Sequence, residues 1–163
     1  MLRDCRERVL AMAMLHDQLH RAKDLSNINL GEYIRNLAAS LFCSYGVNSA
    51  EVELNTEIED ITVPIDTAIP CGLIVNELVS NSLRHAFPEG GKGHVSLALH
   101  ARTAGHVELT VCDDGRGFPE GAPSATRSLG LWLVELLAAQ IEALVERSSK
   151  AGAAYRITFQ VAK

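Results

Sequence analysis

The sequence contains no apolar run close to the roughly 18 residues that a membrane-spanning helix requires, and no recognisable signal peptide. The chain is therefore expected to be cytoplasmic and to hold no membrane segment, whatever a larger parent protein carries. Cysteine is sparse: Cys5, Cys43, Cys71 and Cys112 are scattered, with no C-x-x-C pair. This argues against a disulfide framework or a zinc site and for reduced thiols. There is no excess of positive charge either. The net charge of −5 argues against nonspecific nucleic-acid binding, so no nucleic-acid partner is expected. An anionic nucleotide stays admissible, because a helix N-terminus or a single arginine reverses the field locally. Internal repeats and low-complexity tracts are also missing.

What remains is an ordinary globular composition. With 163 residues, 47% of them hydrophobic and 21% charged, the chain has enough length for one domain and a short appendage. Residues 1–23 read as one helix, with Leu2, Val9, Met12, Met14, Leu15 and Leu19 apolar among clustered charges. Such a helix needs a partner. The polar run Asp24-Leu25-Ser26-Asn27 marks a boundary, dividing residues 1–25 from a main domain at 26–163. A second helix is predicted at about 30–45, stopped by Gly46 in a left-handed cap. Val52, Leu54, Thr56 and Ile58 alternate with polar residues, the period of a half-exposed strand. Ile61-Thr62-Val63 reads as a short strand. A helix over 66–85 follows, with Asp66 as its expected N-cap and Pro70 expected in its first turn. Strands are predicted at 94–101, 106–112, 144–148 and 155–161, and a helix at 129–139. Residues 115–128 are rich in glycine, proline and small polar residues, the composition of a mobile loop. The order predicts an α+β fold, a two-layer sandwich of helices on one mixed sheet, preceded by one helix.

Two stretches carry chemistry. In Asn76-Glu77-Leu78-Val79-Ser80-Asn81-Ser82-Leu83-Arg84-His85, helical spacing puts Glu77, Asn81 and Arg84 on one face. An acid, an amide and a cation so placed suit a metal–phosphate. In Asp113-Asp114-Gly115-Arg116-Gly117, a carboxylate leaves an apolar strand directly into a glycine turn, which suits the other end of a nucleotide. Together they point to ATP. His16 and His20 stand four apart but lack the glutamate of an H-E-x-x-H motif and a third ligand, so they read as a surface or interface pair. The acidic run at 51–60 reads as a solvated strand face.

With these stretches, residues 26–163 resemble the catalytic, ATP-binding domain of sensor histidine kinases. That domain belongs to the GHKL (Bergerat) superfamily, shared with DNA gyrase, a heat-shock chaperone and mismatch-repair ATPases. Residues 77–85 are similar to the family's N-box, residues 113–117 match its D-x-G-x-G box, and Ser128-Leu129-Gly130-Leu131 matches a short second glycine box. Phe87-Pro88-Glu89-Gly90 resembles the compact-lid group related to the HWE kinases. The W-x-E signature is missing, since the only tryptophan is Trp132, which places the chain beside that group.

The resemblance implies roles. Asn81 would hold Mg²⁺, for which an amide oxygen is a suitable hard ligand. Glu77 would act as a general base or position the attacking group. Asp113 would accept a hydrogen bond from the adenine amino group, with Gly115 and Gly117 shaping the turn. Arg84 stands where a phosphate-binding lysine is usual. His85 either reaches the ribose or phosphates or is merely a packed or exposed residue. Gly130 and Leu131 would bring backbone N–H groups to the phosphates, and Asp114 reads as a turn residue.

In this family the phosphoacceptor histidine lies on the first helix of a dimerising hairpin. Residues 1–23 look like the second helix, so the acceptor is expected outside this chain. The implied function is an ATP-binding phosphotransferase module of a two-component sensor histidine kinase. Its expected partners are the phosphoacceptor hairpin of a parent kinase, a response regulator indirectly, and a second copy through residues 1–23. A regulatory nucleotide-binding module without catalysis, and an anti-sigma-factor serine kinase of the same fold, are the alternatives.

Overall fold

The computed structural model describes residues 28–47, 50–88, 91–117, 129–149 and 151–161, together with positions Val9 and Ala13. The helix expected at 1–23, with His16 and His20, and the loop expected at 118–128 thus fall essentially outside the described residues.

A short strand β1 (Ile28–Asn29) leads into helix α1 (Leu30–Tyr45). Asn29 caps the helix, its side-chain oxygen accepting the Glu32 N–H at 2.9 Å, an arrangement that satisfies one orphan donor of the first turn. Gly46 ends it in the left-handed region (φ 62°, ψ 33°), as its sequence position predicts. Strands β2 (Val52–Ile58) and β3 (Thr62–Val63) follow, and then the long helix α2 (Ile65–His85). Strands β4 (Gly93–Ala101) and β5 (His106–Asp113) form a hairpin. Helix α3 (Leu129–Gln140) and the hairpin β6 (Leu144–Ser148) and β7 (Ala154–Gln160) complete the fold.

Five strands make one mixed sheet in the order β2-β4-β5-β7-β6, with β2 parallel to β4 and the other pairs antiparallel. Alternation decides its two faces. Leu97 and Leu99, Val107, Leu109 and Val111, and Tyr155, Ile157 and Phe159 are buried inward in one cluster with the apolar faces of the helices. The opposite face carries charge, including Glu108 between Arg102 and Arg156. The α+β sandwich of the sequence reading is the fold observed.

Three local expectations are corrected. Asp66 is not the N-cap: the helix begins one residue earlier, and Pro64 takes the cap position without a side-chain bond. Pro70 consequently lies past the first turn, inside α2 and buried, where its ring adds to the core although it supplies no N–H to the helix ladder. Residues 62–63 do not join the main sheet. They pair with β1, Ile28 opposite Val63, forming a separate two-stranded sheet.

Candidate nucleotide-binding site

Asp113 ends β5 on the inward face, in phase with Val107, Leu109 and Val111, so its carboxylate is buried beneath α2. Burying a carboxylate is costly unless donors replace its lost water. Three do so. Ser82 Oγ, from α2, donates to Oδ2 at 2.7 Å. The backbone N–H groups of Gly115 and Ala153 each donate to Oδ1 at 3.1 Å.

The turn after Asp113 is held from two sides. A Cβ on Gly115 would strike the carbonyl of Ala86, the C-cap of α2, and the Arg116 N–H donates to that same oxygen at 3.0 Å. From the other side, the turn between β6 and β7 presses on it. Gly152 (φ 90°) leaves no room for a side chain against the Asp113 carbonyl, and a Cβ on Gly117 (φ 69°) would lie 2.5 Å from Ser149 Oγ. Positive φ and close backbone approach together require glycine at both positions.

Asp114 is more than the turn residue expected. Its Oδ1 accepts the His94 N–H at 2.6 Å, and Oδ2 meets His94 Nδ1 at 2.8 Å, tying the turn to the start of β4. The hydrogen bond to Asp114 pushes the His94 imidazole above its ordinary pKa, and Glu53 adds to this from β2. Partial burial would raise the Asp114 carboxyl, but the His94 N–H and ring hold it below its usual value.

On α2, Glu77 is buried and Asn81, one turn on, is partly exposed. Gly130, in the first turn of α3, comes directly over them. A Cβ there would lie 2.6 Å from Glu77 Oε2 and 3.7 Å from Asn81 Nδ2. The helix N-terminus therefore faces the carboxylate, an arrangement that favours negative charge. Leu131 packs its side chain against the core. Arg84 turns its Nε back to the Ser80 carbonyl at 3.1 Å. Beside it, burial, followed by the Arg84 and Arg116 charges, pushes the His85 imidazole below its ordinary pKa.

The structure thus gathers Glu77, Asn81 and Gly130 at one place and Asp113, Gly115 and Gly117 at another, with α2 running between them. Sequence reading missed Ser82, the clasp role of Asp114, and the Gly152-Ala153 turn. Only Ser82 left a signal: it falls on the buried stripe of Val75, Leu78, Val79 and Ala86, where a hydroxyl needs a partner.

These features, a buried acid at a strand end, a polar helix face and a second helix N-terminus over it, define a nucleotide-binding α/β sandwich. Residues 67–163 match the family described as histidine kinase-, DNA gyrase B-, and HSP90-like ATPase, and residues 1–45 match one described as histidine kinase. The chain belongs to this family of ATPases, and residues 67–163 are an ATP-binding domain of the histidine kinase type. It is 31% identical over 118 residues to a blue-light-activated histidine kinase of Erythrobacter litoralis, covering 69% of this chain and 33% of that protein. It is 30% identical over 132 residues to the sensor histidine kinase PdtaS of Mycobacterium tuberculosis, covering 80% of this chain and 26% of that protein. The chain thus spans a third or less of these relatives. Among solved structures, the histidine kinase domain of an Erythrobacter litoralis blue-light-activated kinase superposes with a TM-score of 0.88 at 27% identity, covering 97% of this chain and 75% of that one.

Proposed function

We propose that the chain is the ATP-binding phosphotransferase module of a two-component sensor histidine kinase, which passes the γ-phosphate of ATP to a histidine on a helical hairpin. The observation that carries this reading is the placement along α2 of buried Asp113, bonded to Ser82, and of Asn81 with Glu77, a turn earlier, under Gly130. Adenine sits on Asp113, and the phosphates point along α2 toward Asn81. Arg84 and His85, at the end of α2, flank the nucleotide.

The donor set fits Mg²⁺: Asn81 offers a hard amide oxygen, with the buried Glu77 carboxylate one turn away. When bound, the ion would supply charge neutralisation on the phosphate oxygens. Phosphoryl transfer asks the protein mainly for positioning and electrostatics. Glu77 accepts a hydrogen bond from the attacking group and orients it. Gly130 lets the first N–H groups of α3 approach the phosphates without a side chain between them.

On this reading residues 1–25 are the second helix of a dimerisation hairpin and 26–163 the catalytic domain. Residues 1–23 would join two copies, and a response regulator would take the phosphate onward in the cytoplasm. Among the described residues no helix is long and apolar enough to cross a membrane. Leu129, Trp132 and Leu136, exposed at helical spacing on α3, support docking of a helical partner near the site.

The test mixes the chain, γ-labelled ATP and a separate hairpin fragment that bears a histidine from the cognate parent. Acid-labile label is expected on the fragment, and it should be lost with Asn81→Ala. Robust label on the chain alone, mapped to His16 or His20, would make residues 1–23 the acceptor helix and overturn this assignment.

A further inference from the structure

We propose that Ser82 is a specificity-determining positioning residue, which makes the base end of the site accept an amino group and reject a carbonyl. The inference rests on the reading of Asp113 as the adenine contact and goes beyond it.

An ionised carboxylate has about four acceptor positions, two on each oxygen. On Asp113 both positions of Oδ1 are taken, by the Gly115 and Ala153 N–H groups at 3.1 Å. Ser82 Oγ takes one position of Oδ2 at 2.7 Å. Among the described residues, a single acceptor position remains, on Oδ2. A hydroxyl has one proton and two lone pairs. Because the Ser82 proton is committed to Asp113, the hydroxyl can present only lone pairs elsewhere. Oδ2 and Oγ therefore form an acceptor-only pair.

Both groups are buried, Ser82 7% and Asp113 5% exposed, so bulk water does not readily screen a mismatch. The 6-amino group of adenine brings two protons to such a pair. The 6-carbonyl of hypoxanthine or guanine would set oxygen against oxygen, and a buried acceptor left without a donor is strongly disfavoured. The backbone cannot provide this discrimination by itself. Gly115 and Ala153 fix Oδ1 but leave Oδ2 unconstrained, and an added donor there, such as a water, could serve either base. Ser82 fills that position with a group whose polarity is already assigned.

The experiment measures affinities of the full chain for ATP and for inosine triphosphate by calorimetry, in wild type, Ser82→Ala and Ser82→Thr. Thermal unfolding confirms that each variant is folded. Wild type should prefer ATP. In Ser82→Ala the ATP affinity should fall about 2- to 12-fold, the scale of one hydrogen bond between neutral groups. Inosine triphosphate should change little, so that the preference narrows by the same factor. Ser82→Thr, which keeps the hydroxyl, should retain the preference, and it also serves as the test variant should the alanine form not fold. Equal losses for both nucleotides would mark Ser82 as a packing residue only and overturn the proposal. An unchanged preference would do the same. Failure of the underlying reading looks different: wild type would then show no preference for ATP, or Asp113→Asn would bind ATP as wild type does.

Discussion

The two buried acids of this site keep their place by different means. Asp113 is surrounded by three donors, whereas Glu77 lies against the N-terminal turn of α3, where Gly130 leaves room for its carboxylate. Asn81, one turn from Glu77, is neutral and partly exposed, as suits the metal-ligand role proposed for it. Asn81→Ala should therefore weaken Mg²⁺–ATP binding much more than binding of metal-free ATP, as titrations with and without Mg²⁺ will show. Equal losses would make Asn81 a structural residue. The Asp114–His94 clasp gives a pH-dependent prediction. His94, raised by its bond to Asp114, contributes stability fully present below its unfolded pKa of about 6.5 and lost as pH rises through the higher folded value. Asp114, lowered, contributes above its unfolded value of about 4 and loses that contribution as pH falls through the folded one. The clasp is thus strongest between these limits. His94→Gln should lower the melting temperature at about pH 5.5 and leave it nearly unchanged at about pH 8.5. A pH-independent loss would assign the effect to packing.

Among the elements, α2 carries most of the site and is also closely joined to the core. A Cβ on Gly72 would collide with the Tyr33 ring and hydroxyl on α1, so this glycine sets how closely the two helices approach. Beside it, burial pushes the Cys71 thiol up to about 12, leaving it unreactive at neutral pH. Gly72→Ala should destabilise the domain by about 1–3 kcal/mol, the usual cost of overpacking, despite alanine's better helix propensity. Denaturant unfolding measures it, and an increase in stability would show that Tyr33 moves freely. The elements themselves were legible where one physical rule dominated. Alternation gave β2, and Gly46 marked the end of α1. The rule failed at Asp66, because an acid suits both the cap and the first turn. It failed again at residues 62–63, because a two-residue strand has too few side chains to declare its partner, β1. That Glu77 and Asn81 share one helix and that Asp113 ends a strand could be read from local spacing. Ala153 could not, because its approach to Asp113 depends on β7 pairing with β5 forty residues away.

At the scale of the molecule, the sheet order explains why one site forms. β5 is central, between β4 and β7, so the chain leaving its end at Asp113 meets the clasp from β4 on one side and the β6–β7 turn on the other. The end of α2 covers it, and α3 returns its N-terminus to the middle of the same helix. On the proposed reading, the acid for the base and the amide for the phosphates are thereby held on one frame. Calorimetric titration of Mg²⁺–ATP into wild type and Asp113→Asn tests this account most directly, with circular dichroism to confirm that both are folded. The account predicts a loss of one charge-assisted hydrogen bond, about 1.5–3 kcal/mol, which weakens binding roughly 10- to 150-fold. Unchanged affinity in a folded Asp113→Asn variant would contradict it.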